Sequence, residues 1–193
     1  MNNSPFKRYK VIISGITALR QHRRPEPGDP ESPSIGGRIP TEEEQDILFK
    51  RARYYDKKIG YYQPSSQIRK AIVLSGKKES IPGQGKSKFS KLLEAGGIIV
   101  EPEKIPHKNQ KDIRTAGHWT ADWKGNQKWV VKAEVHDWQL EFIIQNNMPE
   151  IITDEYLKKF LDWAGMFCGL GADRPERGKL YGRFEVKQFK QIK

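Results

Sequence analysis

The stretch GLGADRPERGKLYGRFEV, residues 169–186, decides how the rest of the chain is read. Four glycines (Gly169, Gly171, Gly178, Gly182) alternate with four cations (Arg174, Arg177, Lys179, Arg183). Glycine admits positive φ and close approach of the backbone to other atoms. Arginine forks match phosphate oxygens, and successive backbone amides can form an anion nest. The segment is therefore expected to be a phosphate-binding loop. Before it, the TDEY beginning at Thr153 opens a capped helix in which Leu157, Phe160, Leu161 and Ala164 share one face. After it, Tyr181–Phe189 alternates, with Phe184, Val186 and Phe189 set among Arg183, Glu185 and Lys187, which predicts a closing strand.

Working outward, Tyr9–Ile16 (YKVIISGI) is a β-branched run that predicts a buried opening strand. Residues 23–40 hold five prolines and read as a loop. Thr41 caps a helix predicted to run from Glu42 to about Tyr55, with acidic residues in its first turn and basic ones later. Ser65 or Ser66 is expected to cap a second helix with Ile68 and Ile72 inward, followed by a Lys/Gly-rich loop at 76–91. Strands are predicted at Ile98–Glu101, in a hairpin on either side of residues 124–127, and at Asp137–Gln145. Reduced to its core, the order is βαββαβ. This predicts an α+β, ferredoxin-like antiparallel sheet with helices on one face and a central hairpin insertion at about 105–135, all within one domain spanning 1–193.

Composition narrows the partner. Lys and Arg number 35 against 24 Asp and Glu, a formal charge of +11, which favours a polyanion and most often nucleic acid. The hydrophobic share of 36% is low, but five Trp, seven Tyr and eight Phe argue against a disordered chain. The single cysteine, Cys168, excludes an internal disulfide framework and a cysteine-based zinc site. No secretory signal or membrane-spanning run is evident, so a soluble, cytoplasmic protein is expected, without membrane partners. His107, His118 and His136 lack metal-ligand spacing, and neither metal nor cofactor is expected.

The loop at Gly169-Leu170-Gly171, Arg174, Arg177-Gly178 and Gly182-Arg183 resembles the signature glycine-rich loop of the RAMP superfamily, the RNA-binding subunits of CRISPR effector complexes. Two more stretches are similar to that family: Tyr62–Ala71 (YQPSSQIRKA) at the entry to its first core helix, and Ile16-Thr17-Ala18-Leu19 at the exit of its first strand. The resemblance implies a ferredoxin-like backbone subunit that holds single-stranded RNA, or DNA, and assembles as a homo-oligomer along the strand or within a multi-protein ribonucleoprotein of antiviral defence. Residues 105–134 would then form the family's thumb, where Trp119, Trp123 and Trp129 lie among cations as single-strand stacking requires.

The residues singled out for nucleic-acid binding are the loop's Gly169, Gly171, Arg174, Arg177, Gly178, Lys179, Gly182 and Arg183, together with Ser65, Ser66, Arg69 and Lys70 at the helix entry. Arg20, Lys86, Lys88, Trp119 and Trp123 complete the set. SIPGQGKS at 80–87 misses the first glycine of a P-loop, so a phosphate-facing or merely solvated lysine loop is expected there. His22, beside Arg20, Arg23 and Arg24, is the sole catalytic candidate, and would make the chain a metal-independent endoribonuclease. The principal reading is non-catalytic. A third reading is a viral or mobile-element protein that mimics or blocks such a complex.

Overall fold

The computed structural model describes residues 5–121 and 124–193. Its first strand, β1 (Lys7–Gly15), buries Tyr9, Val11 and Ile13 completely and turns Lys10 and Ile12 to the other face. The chain then makes a first excursion: β2 (Leu19–Gln21), helix α1 (Glu42–Ala52), β3 (Tyr55–Asp56) and β4 (Gly60–Pro64). Helix α2 (Ser65–Ser75), a short helix α3 (Phe89–Leu92) and β5 (Ile98–Glu101) return it to the core. A second excursion carries β6 (Lys104–Pro106) and the hairpin β7 (Ile113–Ala121) and β8 (Gln127–Val135). β9 (Gln139–Asn146), helix α4 (Asp154–Trp163) and β10 (Phe184–Ile192) close the fold.

The main sheet runs β10-β1-β9-β5, with every pair antiparallel. In core order this is 4-1-3-2, the ferredoxin-like arrangement. Its inner face presents Tyr9, Val11 and Ile13 beside Leu140, Phe142 and Ile144, with Ile98, Val100 and Phe184 at the flanks. On these lie Ile68 and Ile72 of α2 and Leu157, Phe160 and Leu161 of α4. The one amide in this face, Asn146, is fully buried and satisfied: it donates to the Ile152 carbonyl at 2.6 Å and accepts from the Met148 amide at 3.0 Å. Phe184, Val186 and Phe189 all face inward because a β-bulge between Ile12 and Ile13 shifts the register, pairing Ile13 with Val186 but Val11 with Phe189.

The two excursions build a second layer together. β2 pairs with β8, which pairs with β7; β4 pairs with β3 and β6. Phe49 and Ala52 of α1 are buried, Phe49 against Val131 and Ala133 of the hairpin. One insertion at 105–135 was expected. The hairpin occupies 113–135, and the excursion over 16–64 is its structural partner.

Several expected boundaries move, each for a tertiary reason. Thr41 does cap α1, with a reciprocal capping box to Glu44. The helix ends at Ala52 rather than near Tyr55 because Tyr54 donates its amide to Gln21 Oε1 (2.9 Å) and Tyr55 pairs with Tyr61. Neither Ser65 nor Ser66 caps α2. Pro64 holds the cap position without a side-chain bond, and the Ser65 amide donates instead to the Glu103 carbonyl (2.8 Å). β9 starts at Gln139 rather than Asp137, where φ is +45° and the chain turns Trp138 into the core. Gly15 makes room for that ring, since a Cβ there would lie 2.3 Å from Trp138 Nε1. β10 starts at Phe184 because residues 181–183 belong to the glycine loop.

Candidate nucleic-acid interface

α4 runs into a π-turn at Ala164–Cys168, and Gly169, with φ +67°, reverses the chain. Leu170, 1% exposed, then drives inward as an apolar anchor. The limb is fixed by backbone bonds: Leu170 N–H to Gly182 C=O (2.9 Å), Ala172 N–H to Arg20 C=O (2.7 Å) and Gly182 N–H to Ala18 C=O (2.8 Å). A Cβ on Gly182 would lie 2.0 Å from the Leu170 oxygen, and one on Gly171 2.3 Å from the Arg20 oxygen. These glycines are therefore demanded by contacts within the protein. The amides of Gly171, Arg177, Gly178, Lys179, Tyr181 and Arg183 also have internal acceptors. The loop thus offers few amides for the expected anion nest, and its capacity for phosphate rests on side chains.

Those side chains divide into two groups. Arg174, 15% exposed, donates to the Gly171 carbonyl (2.9 Å) and pairs with Glu176 (2.6 Å), so it braces the loop. Arg20 pairs with Glu134 (2.7 Å) and Asp173 (3.2 Å), with its guanidinium 3.6 Å from the centre of the Tyr181 ring. Lys132, 9% exposed at its side chain, meets the same Asp173 at 2.5 Å. Burial would raise the Asp173 carboxyl, but hydrogen bonds from Lys132 and Arg20 outweigh it and hold it below its ordinary range. Around this locked cluster, Arg177, Gly178, Lys179 and Leu180 stand exposed at the tip of the loop.

The loop forms one wall of a cleft of about 460 Å³. The opposite wall is Gln67, Lys70 and Leu74 of α2, and the mouth is His22, Arg23 and Arg24, just beyond β2. Arg23 is neutralised by Asp29 (2.6 Å) and Glu26 (3.3 Å). Arg24, Lys70 and Arg177 make no ion pair among the described residues, so three cations from three separate segments converge on the cleft. Gln67 ties the walls together: its Oε1 accepts from the Gly171 amide (3.2 Å) and from Gln63 (2.7 Å), and its Nε2 donates to the Tyr54 hydroxyl (2.9 Å). His22 stands at the mouth, where partial desolvation of its ring and then the Lys132 charge lower its pKa below the ordinary imidazole value.

The remaining singled-out residues lie elsewhere. Arg69 donates to the carbonyls of Leu93, Glu94 and Ile98, stitching the turn before β5 to α2. Ser65 and Ser66 occupy the first turn of α2, outside the cleft lining. Lys88 reaches Ser80 Oγ (2.9 Å), and neither it nor Lys86 lines the cleft; the 80–87 segment follows a helical turn, not the strand a P-loop needs. Arg183 donates to Met166 Sδ. Trp119 packs edge-on against Trp129 (5.5 Å, 87°) on the hairpin face that also carries Gly117, while Trp123 lies outside the described residues. Arg24 and Gln67 belong to the cleft and were not among the expected binding residues. Arg24 could have been found from its place in the Arg20–Arg24 basic run, whereas Gln67 carries no sequence signal.

No family model matches the chain, and no curated protein matches it. Among solved structures, it is similar in fold to a chain of the cryo-EM structure of the Type III-B Cmr-β bound to cognate target RNA. The TM-score is 0.51 and the identity 17%, over 97% of this chain and 61% of that one. The architecture is thus a ferredoxin-like α+β fold shared with that chain, of whose length this protein spans about three-fifths. No described helix is long and apolar enough to cross a membrane, and no group of three or more potential metal ligands occurs among the described residues.

Proposed function

We propose that this chain is a RAMP-type subunit that holds single-stranded RNA by its phosphates, within a CRISPR-type or related ribonucleoprotein assembly, without cutting it. The observation that carries this reading is the convergence of Arg24, Lys70 and Arg177 on one cleft whose other charges are neutralised internally. Unpaired cations attract a polyanion, and a cleft lined by them from three segments admits a flexible single strand more readily than a stiff duplex. RNA is preferred over DNA because the similar fold comes from an assembly bound to target RNA and because of the loop's resemblance. Assembly with other subunits, or with further copies along the strand, belongs to the same reading.

The test is fluorescence anisotropy of a labelled single-stranded oligoribonucleotide, with the duplex and the DNA strand as competitors. The account expects the Arg24→Ala/Lys70→Ala/Arg177→Ala protein to bind at least tenfold more weakly while melting normally. Unchanged binding would remove the cleft as the site. No binding by the wild-type chain alone would favour an interaction protein acting on another complex.

His22 at the cleft mouth supports a second reading, metal-independent RNA cleavage. Gel analysis of the same mixtures decides it. Cleavage that disappears in His22→Ala would make the chain an endoribonuclease; intact RNA fits a holding subunit.

A further inference from the structure

Beside the cleft lies a second, apolar groove of about 390 Å³ that no function yet uses. Its aromatic wall arises from helix periodicity. Leu157, Phe160, Leu161 and Ala164 turn to the sheet, which leaves Trp163 and Phe167, one helical turn apart, on the outer side of α4 and its π-turn. Their ring centroids are 4.8 Å apart at 46°, and Phe167, 56% exposed, is the most exposed aromatic among the described residues. Lys77 and Lys78, on the turn after α2, stand across the groove and make no ion pair among the described residues. The one carboxylate lining it, Glu176, is held by Arg174.

We propose that this groove takes an unstacked nucleobase of the strand held in the cleft, with Phe167 and Trp163 as the stacking surface and Lys77 and Lys78 on the adjoining phosphates. This rests on the nucleic-acid reading above. Two observations favour a base over a peptide side chain. The rim is net positive once Glu176 is neutralised, which suits a backbone of phosphates rather than one of amides. The groove is also continuous with the cleft: Leu74 lines both, and the Arg174–Glu176 pair joins the two. A strand leaving Arg177 therefore meets an aromatic ring beside a pair of cations, the combination that single-strand binders use without sequence preference.

The experiment compares binding of an ordinary single-stranded oligoribonucleotide with that of a strand of equal length carrying abasic riboses, using wild type, Phe167→Ala, Phe167→Tyr and the cleft triple variant. Loss of one base stack is expected to weaken binding of the ordinary strand by Phe167→Ala about five- to tenfold. The abasic strand should bind wild type and Phe167→Ala alike, and Phe167→Tyr should retain wild-type affinity. Phe167 is largely in solvent, so an unchanged melting temperature is expected to confirm that the variant folds. Equal losses on both strands, or no loss, would overturn the base subsite. If Phe167→Ala instead abolishes self-association or capture of a partner subunit with RNA affinity intact, the groove is a protein interface and the proposal fails. Because the cleft triple variant is measured alongside, failure of the subsite leaves its own signature: normal loss in the triple variant and none in Phe167→Ala.

Discussion

The glycine-rich loop has two halves that look alike in sequence and differ in the structure. Residues 169–174, with Gly182 paired back onto them, are locked: Gly171 abuts the Arg20 backbone and Gly182 the Leu170 backbone, Leu170 is buried, and Asp173 and Arg174 are consumed by Lys132, Arg20, Gly171 and Glu176. In residues 177–180 the backbone is tied but the side chains are not: Arg177 and Lys179 are exposed and make no ion pair among the described residues, and a Cβ on Gly178 would meet nothing within 4 Å. The same glycine–arginine composition thus builds a scaffold in one half and an exposed basic surface in the other. What separates them is whether a neighbouring backbone or carboxylate has already claimed the group.

The contrast predicts opposite phenotypes within one motif. Gly182→Ala must hold positive φ against a carbonyl 2.0 Å away, and should cost on the order of 3 kcal/mol in denaturant unfolding. A comparable effect should come from behind the locked half, where Gln67, Gln63, Gln21 and His107 form a buried polar chain. Burial pushes His107 down to about 4 from an ordinary 6.5, so the unfolded chain takes up its proton first. Above pH 6.5 this costs nothing. As the pH falls from 6.5 to 4 the native state should lose about 3 kcal/mol, a loss absent from the pH–stability profile of His107→Gln. Gly178→Ala, which meets only the positive-φ penalty, should cost about 1–2 kcal/mol. Arg174→Ala should cost about 1 kcal/mol of stability by removing the brace on Gly171. Arg177→Ala should leave the melting temperature unchanged and weaken RNA binding a fewfold; a destabilised Arg177→Ala or a stable Gly182→Ala would erase the distinction between the halves.

The core strands and helices were legible because their apolar periodicity is local: Tyr9, Val11 and Ile13 at period two, and Leu157, Phe160 and Leu161 at helical spacing. Even the bulge is written in the change from a two- to a three-residue interval between Phe184, Val186 and Phe189. The sequence was less informative wherever a distant partner decided the outcome. The end of α1 depends on Gln21, the start of α2 on Glu103, and the second layer on the pairing of the short strands β2 and β4 with the distant β8 and β6. The site shows the same division. Lys70 and Arg177 were expected and do face the cleft, whereas Arg20, Arg69 and Arg174 have the right chemistry but are held by carboxylates and carbonyls invisible in the sequence. Trp163 and Phe167 were readable in principle as aromatics on the polar side of an amphipathic helix.

The most direct test of the central claim is the salt dependence of RNA affinity in wild type and in the Arg24→Ala/Lys70→Ala/Arg177→Ala protein. Each cation on a single-strand phosphate contributes about 0.7 to the slope of log affinity against log salt, so the triple variant should be shallower by roughly 2. Parallel slopes for the two proteins would contradict the assignment of the cleft as the place where the strand is held.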